Sequence, residues 1–258
     1  MSRAGDGAGA IHRLRRFVEA NWAALAILAG WQAWIWLGHV PPIIAPSPLG
    51  VAGAALANGK ILLIAFGQTA CTAFIGLLAG VALGYGLAVV SWSSGLVAGM
   101  LLPGSLIAQS VPVAAMVPVV ARLVGYDVRA VIAIAILVSF FPTYVLVRGG
   151  LDRTPAGAED LFTALGATRR RRLLSLAIPS AMPSLLTAVR LSIANSILAA
   201  LVAEFLMGTE GLGFLIASSA PKMDLRTGWG AAILAMIVSV AMFAVTSAAE
   251  QRWRQRWT

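Results

Sequence analysis

Six long apolar segments divide this chain, and they constrain its fold more than any other feature of the sequence. Their approximate limits are residues 22–38, 62–90, 97–120, 129–147, 184–207 and 229–249. A helix needs roughly 20 apolar residues to cross the hydrocarbon core of a bilayer, and these segments are near or above that length. Charged residues make up only 11% of the chain, against about 25% of a typical soluble domain. The sequence therefore predicts an all-α membrane protein of about six transmembrane helices.

The basic residues predict the orientation of such a protein, because cytoplasmic loops retain an excess of Lys and Arg. If the N-terminus is cytoplasmic, thirteen basic residues lie on that side, five lie on the other, and Arg190 lies within a span. We therefore expect a multi-pass protein of the cytoplasmic (inner) membrane with both termini in the cytoplasm. The expected divisions are a cytoplasmic segment over 1–20, a transmembrane domain over 21–250 and a basic tail over 251–258. The first apolar run is too long and too rich in tryptophan for a signal peptide, and no small-residue cleavage site follows it.

The net charge of +9 could suggest nucleic-acid binding. However, the arginines lie between long apolar runs, and no basic face with interleaved aromatic residues accompanies them, so we expect no nucleic-acid partner. His12 and His39 are too few and too far apart to suggest a metal site. The single cysteine, Cys71, cannot form an internal disulfide. No phosphate loop of the Walker type is present, so we expect the chain itself to bind neither ATP nor a metal.

The longest loop on the predicted cytoplasmic side, about residues 152–178, is less hydrophobic than the rest of the chain. We expect an amphipathic helix around Asp160 and a break at Gly166, whose backbone can turn where other residues resist. A membrane helix is then expected to open at the prolines Pro179 and Pro183. The four arginines Arg169–Arg172 also fit an ordinary cytoplasmic loop that only fixes topology, and both interpretations can be true.

The spacing of this loop resembles the cytoplasmic coupling loop of permeases from binding-protein-dependent ABC importers. In that family an acidic residue precedes a glycine, and a hydrophobic residue with a proline follows thirteen residues later. Here Asp160 lies six residues before Gly166, and Pro179 lies thirteen residues after it. The likeness to the taurine, alkanesulfonate and nitrate branch extends to Gly76, Gly80, Gly84, Val111–Pro118, Pro183, Arg190, Glu204 and the run Gly211–Ile216. Leu161 and Phe162 depart from the usual pair of alanines.

The resemblance implies a type I ABC importer permease fold, not an enzyme. It implies a path enclosed by two permease copies in the lipid bilayer, ATPase subunits that carry ATP and Mg²⁺ and grip the loop, and an extracytoplasmic solute-binding protein. The implied solute is a small anion or zwitterion of the sulfonate, taurine or nitrate type, with a pyrimidine precursor or an aromatic acid as alternatives. The residues expected to couple to the ATPase are Asp160, Leu161, Phe162, Leu165, Gly166, Ala167, Arg169 and Pro179.

Polar and helix-breaking residues inside the apolar segments predict the translocation path. Pro112 interrupts the third segment, and the carbonyls that proline leaves free need neighbours or a water-lined cavity, although a plain kink is the alternative. Arg190 and Glu204 place charges within or at the edge of a span, where an unpaired charge costs about 2.5–3.5 kcal/mol. Arg190 could instead extend to the cytoplasm, and Glu204 could lie at the interface. The expected path residues are Gln109, Ser110, Pro112, Met116, Arg190, Asn195 and Glu204.

Glycines mark two further features. Gly76, Gly80 and Gly84 recur every four residues, which lines them along one helix face and lets a second backbone approach closely; a hinge is the alternative. Gly211 and Gly213 precede a short helix expected over residues 214–220. This region resembles the outer gate of the family, and a simple loop between spans is the alternative.

Two other classes of function compete with a permease. An intramembrane enzyme needs converging nucleophiles, acids or metal ligands, and the predicted inner halves of the spans offer only Arg190. A stand-alone secondary transporter usually shows internal repeats or several intramembrane ionisable groups, and neither is evident.

Overall fold

Helices make up nearly all of the computed structural model, which describes residues 19, 22, 23, 26–42 and 44–254. In chain order the helices are α1 (Ala26–Leu37), α2 (Pro48–Ala57), α3 (Gly59–Ser93), α4 (Gly95–Gln109), α5 (Val113–Val124), α6 (Val128–Leu151), α7 (Ala158–Ala164), α8 (Arg169–Arg172), α9 (Ile178–Met207), α10 (Leu212–Ser219) and α11 (Leu225–Arg254). A π-helical turn, Leu173–Ala177, joins α8 to α9. No strand occurs within the residues described.

Four helical stretches of this structure are long and apolar enough to cross a membrane. They are α3, α6, the Leu225–Ala248 part of α11 and the continuous stretch Arg169–Met207. Helices α4 and α5 form a fifth span if they are taken together. Five of the six predicted segments are thereby accounted for. The sixth, 22–38, lies partly outside the described residues, and its described helix α1 falls below the length of a span. The predicted segment 1–20 also lies largely outside them, as does the second half of the predicted tail 251–258.

The third predicted segment is not one bent helix, because α4 and α5 differ in direction by 114°. Helix α4 ends at Gln109 and Pro112 is the N-cap of α5. Proline pushes the residue before it away from the helical conformation, so a helix ends before Val111 rather than kinking there. The chain therefore changes direction over residues 110–112, with Gln109 and Ser110 at the corner.

The fifth span begins earlier than predicted. We expected a membrane helix to open at Pro179 and Pro183, but it runs without interruption from Arg169. In the π-helical turn, the Ile178 N–H donates to the Leu173 carbonyl, one residue further back than in an α-helix. Such a turn shifts the hydrogen-bond ladder just before Pro179, so the proline follows without ending the helix.

Helices α3, α6 and α9 pack against one another and form the centre of the bundle. The predicted packing role of the glycine stripe on α3 is confirmed. A Cβ built on Gly80 would lie 2.5 Å from the Ile136 carbonyl oxygen, and one on Gly84 would lie 2.8 Å from the Phe140 carbonyl oxygen. Both carbonyls belong to α6, so only glycine lets the two backbones come this close.

The two ends of the bundle carry different short helices. Helix α8, which follows α7 along the chain, lies near Trp92 at the end of α3, and its Arg169 guanidinium donates to the Trp92 carbonyl. At the other end of α3, the Asn58 Nδ2 atom donates to the Thr227 hydroxyl near the start of α11, 2.8 Å away. We call these the α7 end and the α10 end of the bundle.

Replacing Gly80 by Ala should lower the thermal midpoint of the detergent-purified protein, because the new methyl group would meet backbone atoms of α6. Overpacking of this kind costs about 1–3 kcal/mol. Gly86 lies on the same helix, and a Cβ built there would have no neighbouring atom within 4 Å. Gly86→Ala is therefore the matched control and should leave the midpoint unchanged or raise it. Equal midpoints for the two variants would contradict the close contact.

Candidate functional site

Helix α7 is a short helix with fixed ends and no buried residue. Gly157 caps its start with a φ of 76°, and Glu159 and Asp160 lie in its first turn, where negative charge is favourable. Its far end is a Schellman motif. The Gly166 N–H donates to the Thr163 carbonyl at 3.0 Å, and the Ala167 N–H donates to the Phe162 carbonyl at 2.9 Å. Gly166 has a φ of 65°, so the predicted break at this glycine is confirmed.

Only Ala167 and Thr168 separate this turn from the long helix Arg169–Met207. The Thr168 hydroxyl accepts a hydrogen bond from the Arg171 N–H at 3.3 Å and so caps the first turn of α8. We call the turn between α7 and α8 the α7–α8 corner. Because α7 is capped at its end and α8 at its start, the direction in which α7 leaves the span is fixed. The arginine run is thus the first turn of a membrane-spanning helix, rather than part of a free loop.

The residues predicted to couple to the ATPase do not all lie in one place in the structure. Leu161 and Leu165 are 57% and 73% exposed, and Asp160 is also exposed. Leu165 also borders a cavity of about 540 Å³ beside α7, which is lined by Phe162, Leu165, Gly166, Ala167, Thr168, Arg171 and Ser175. Pro179 lies ten residues into the helix that begins at Arg169, outside this cavity.

Arg169 makes contacts within the chain that the sequence did not indicate. Its Nη2 atom donates to the Trp92 carbonyl at 3.1 Å, and its guanidinium lies over the Trp92 ring, 5.6 Å from the centroid. The side chain therefore ties the start of α8 to the end of α3. No local pattern around Arg169 distinguishes it from its three neighbours, so only the structure could find this contact.

Three of the predicted path residues come together at the corner between α4 and α5. Gln109, Met116 and Asn195 line one cavity of about 220 Å³. Ser110 and Pro112 lie at the corner itself, and both are exposed. The Ser110 hydroxyl donates to the Ile107 carbonyl at 2.6 Å, which satisfies one carbonyl at the end of α4. Among the residues that line the cavity none is charged.

The other two predicted path residues lie elsewhere. The Arg190 guanidinium lies over the Phe243 ring of α11, 5.6 Å from its centroid, and Arg190 does not line the cavity with Asn195. Glu204 is completely buried inside the protein, so its carboxylate faces neither lipid nor solvent. Whether either residue takes part in transport stays a prediction.

Glu204 connects three elements at the α10 end. Its Oε2 atom accepts a hydrogen bond from the Thr69 hydroxyl of α3 at 2.8 Å and one from the Gly213 N–H of α10 at 3.0 Å. The Thr69 hydroxyl in turn accepts from the Leu212 N–H at 2.9 Å. Gly211 and Gly213 thus lie against the carboxylate, and α10 occupies residues close to those expected. Sequence reasoning missed Thr69, because nothing near it predicts a buried partner on another helix.

A second cavity lies at the same end of the bundle. A cavity of about 770 Å³ lies between the start of α3, the start of α6 and the α9–α10 connection. At its rim the Gln68 amide donates to Glu210 at 2.6 Å, and Arg129 pairs with Asp127 at 2.7 Å. Hydrogen bonds from the Arg129 guanidinium, and then from its backbone N–H, hold the pKa of Asp127 below its usual value. These pairs are exposed, so they add little to stability.

The arrangement of these helices defines the class of protein. A solved amino acid ABC transporter with histidines has the same fold, with a TM-score of 0.67 over 77% of this chain and 97% of that chain at 14% sequence identity. The fold is therefore that of the membrane subunits of ABC importers. Residues 76–256 match the model of the family described as binding-protein-dependent transport system inner membrane component. The chain belongs to this family, which confirms the resemblance carried by the coupling loop.

Individual relatives agree with this assignment. A probable ABC transporter permease protein of Haemophilus influenzae is 27% identical, over 84% of this chain and 89% of its own length. The formylaminopyrimidine transport permease protein ThiX of Halalkalibacterium halodurans is 30% identical, over 67% of this chain and 70% of its own length. Other matching permeases are named for aliphatic sulfonates, nitrate and taurine. The chain is thus a transport component of an ABC importer for a small solute.

Replacing Gly166 by Ala should loosen the corner between α7 and α8, because a residue with a Cβ pays about 1–2 kcal/mol for a left-handed conformation. If the free energy of opening this turn falls by that amount, the population of the open form rises roughly 5–30-fold. We expect trypsin to cut the detergent-purified protein faster between Arg169 and Arg172 by a similar factor. Gly149→Ala is the control, since Gly149 is helical with open space around it. Equal cleavage rates would contradict a fixed corner.

Proposed function

We propose that this chain forms one half of the translocation path of an ATP-driven importer and takes its motion from separate ATPase subunits that bind α7. The observation that carries the proposal is the exposed apolar surface of α7, where Leu161 and Leu165 project from a helix with no buried residue. Exposed apolar patches with polar rims mark protein interfaces. Because a capped corner joins α7 to the span Arg169–Met207, a partner that moves α7 also moves that span.

The distribution of charge supports a cytoplasmic location for α7 and both termini. Arg148, Arg153 and the arginines of α8 lie at the α7 end, and basic residues favour the cytoplasmic side of a membrane. ATP and Mg²⁺ then belong to the partner that binds α7, and this chain is a transport subunit without an enzymatic step. An extracytoplasmic solute-binding protein would dock at the α10 end, where Gly211 and Gly213 form part of the outer gate.

A second copy of the chain fits the face that carries the α4–α5 corner. Gln109 and Asn195 are exposed on this face at the level of the helix break. Amide side chains and irregular backbone at membrane depth do not face lipid; they line protein or a water-filled cavity. Two copies placed with these faces together would enclose such a cavity. Transport then proceeds by alternating access, in which the helices of each copy rock about this path while their outer faces contact lipid.

Two classes of solute suit this path. The sulfonate, taurine and nitrate type is supported by the names of several relatives. A pyrimidine precursor is supported by the name of another relative and by the cavity itself, which offers amides from Gln109 and Asn195 beside Phe141 and carries no charged lining residue. Such a lining suits an uncharged heteroaromatic ring better than an anion. We therefore keep both classes and regard the cavity as favouring the pyrimidine precursor.

Replacing Leu161 and Leu165 together by Ser should weaken the association with the ATPase subunits at least about tenfold, because truncation of the few residues that anchor an interface costs more than about 1 kcal/mol each. Co-purification of the ATPase with tagged permease measures this. The matched control is Leu49→Ser with Leu56→Ser, two leucines of α2 that are 77% and 86% exposed. The proposal fails if the α7 double variant keeps its ATPase, or if uptake continues with the ATPase subunits absent.

Replacing Asn195 by Leu should reduce uptake about tenfold or more while leaving ATPase association intact. A hydrogen bond to a polar solute would be lost, and buried polar groups of the solute would stay unpaired. Thr246→Val is the control, since the Thr246 hydroxyl is already satisfied by the Met242 carbonyl of its own helix. Uptake equal to that of the parent would place the path on another face. Competition between a sulfonate and a formylaminopyrimidine in the same assay distinguishes the two solute classes.

A further inference from the structure

The carboxylate of Glu204 occupies an unusual position for an acidic side chain. It lies near the end of a membrane-spanning helix, yet it is 0% exposed, and its Oε1 atom has no hydrogen-bond partner among the described residues. An apolar side chain of similar volume would avoid this desolvation. Buried ionisable groups inside a membrane protein are rare and usually have a function. The contacts of Glu204 indicate what that function is.

Helix α10 has no cap of its own. Its N-cap residue is Gly211, which offers no side-chain hydrogen bond, so the first N–H groups of the helix need partners from elsewhere. Glu204 of α9 supplies an acceptor to the Gly213 N–H, and Thr69 of α3 supplies one to the Leu212 N–H. Because Thr69 also donates to Glu204, a single buried network binds the start of α10 to two spans. The negative charge of the carboxylate also favours this position at a helix N-terminus.

The glycines around the network make this contact possible. Gly211 has a φ of 139°, and a Cβ at this position would overlap the Glu204 carboxyl group. A Cβ on Gly213 would lie 2.7 Å from the Glu204 Cβ and 2.8 Å from the Phe205 nitrogen. The α10 backbone therefore lies directly against α9, and no side chain intervenes between its first turn and the carboxylate.

We propose that Glu204 is the positioning residue of α10, and that with Thr69 it forms a latch that holds α10 against α3 and α9. Opening of the α10 end requires the Gly213 and Leu212 N–H groups to leave these acceptors. The latch deepens the proposed function, because it is the contact that keeps the outer gate closed. Only its consequence for transport rests on that function. The latch itself can be tested without ATPase or solute.

The test measures how readily a buried residue of α10 reacts with a membrane-impermeant maleimide. Cys71, which is exposed, is first replaced by Ser, and Ser219→Cys then introduces a probe at the far end of α10, where the native side chain is 8% exposed. Ala220→Cys, one residue further and exposed, reports full reactivity. Labelling rates are compared for the parent and for Glu204→Ala, Thr69→Val, Glu204→Gln and Glu210→Gln, all in lipid nanodiscs.

We expect Glu204→Ala and Thr69→Val to label at Ser219→Cys about tenfold faster than the parent, because each loses a buried hydrogen bond that holds α10. Glu204→Gln keeps an oxygen acceptor in the same place, so its rate should stay within about threefold of the parent. Glu210→Gln alters an exposed contact with Gln68 and should have no effect. The Ala220→Cys probe should label equally in all variants.

Two results would overturn the latch. In the first, both Glu204→Ala and Thr69→Val label at the rate of the parent. In the second, Glu204→Gln labels as fast as Glu204→Ala, which would remove hydrogen bonding as the cause. If Glu204→Ala fails to insert, Thr69→Val decides, since it removes one hydroxyl and keeps the side-chain shape. Loss of the latch with normal ATPase association leaves the proposed function intact. An intact latch in a chain that binds no ATPase would refute that function and leave the latch standing.

Discussion

Helix α3 lies against α6 at a distance that only glycine permits at Gly80 and Gly84, where the nearest atoms are backbone carbonyls of α6. In a bilayer the hydrophobic effect gives helices no reason to associate, so close van der Waals contact and interhelical hydrogen bonds hold them together. On its other side α6 contacts α9, where the Ser192 hydroxyl donates to the Ser139 carbonyl at 3.4 Å. The three helices therefore form one unit, and the functional features at both ends are attached to it.

The sequence predicted those parts of the fold that depend on local signals. Apolar length located the spans, three glycines spaced four residues apart located the α3 packing face, and Gly166 located the turn after α7. These predictions succeeded because each signal is short in sequence and its physical cause is local. The failures have a different origin. The 114° change of direction at Pro112 depends on how α4 and α5 each pack, which no dihedral preference of one proline determines.

The functional contacts that the sequence missed join residues that are far apart in the chain. Arg169 and Trp92 are separated by 77 positions, and Glu204 and Thr69 by 135. The sequence did mark Glu204 as a charge at the edge of a span, but a lone acid carries no information about its partner. Arg190 shows the same limit. The sequence placed a charge in a span, and only the structure shows that its guanidinium lies over the Phe243 ring of α11, outside the cavity with Asn195. Its part in transport stays a prediction.

The two missed contacts together explain how distant ends of the bundle are connected. Arg169 holds the last turn of α3 through Trp92, and Glu204 holds an earlier part of the same helix through Thr69. Thr69 and Trp92 lie roughly 34 Å apart along the axis at 1.5 Å per residue. The span Arg169–Met207 is hydrogen-bonded to α3 at both of its ends, and α6 packs against both helices. Neither α3 nor this span can therefore slide without breaking a hydrogen bond or opening a packed interface. In the proposed mechanism, a displacement of α7 reaches α10 as movement of the three-helix unit, and α10 opens by leaving Glu204 and Thr69.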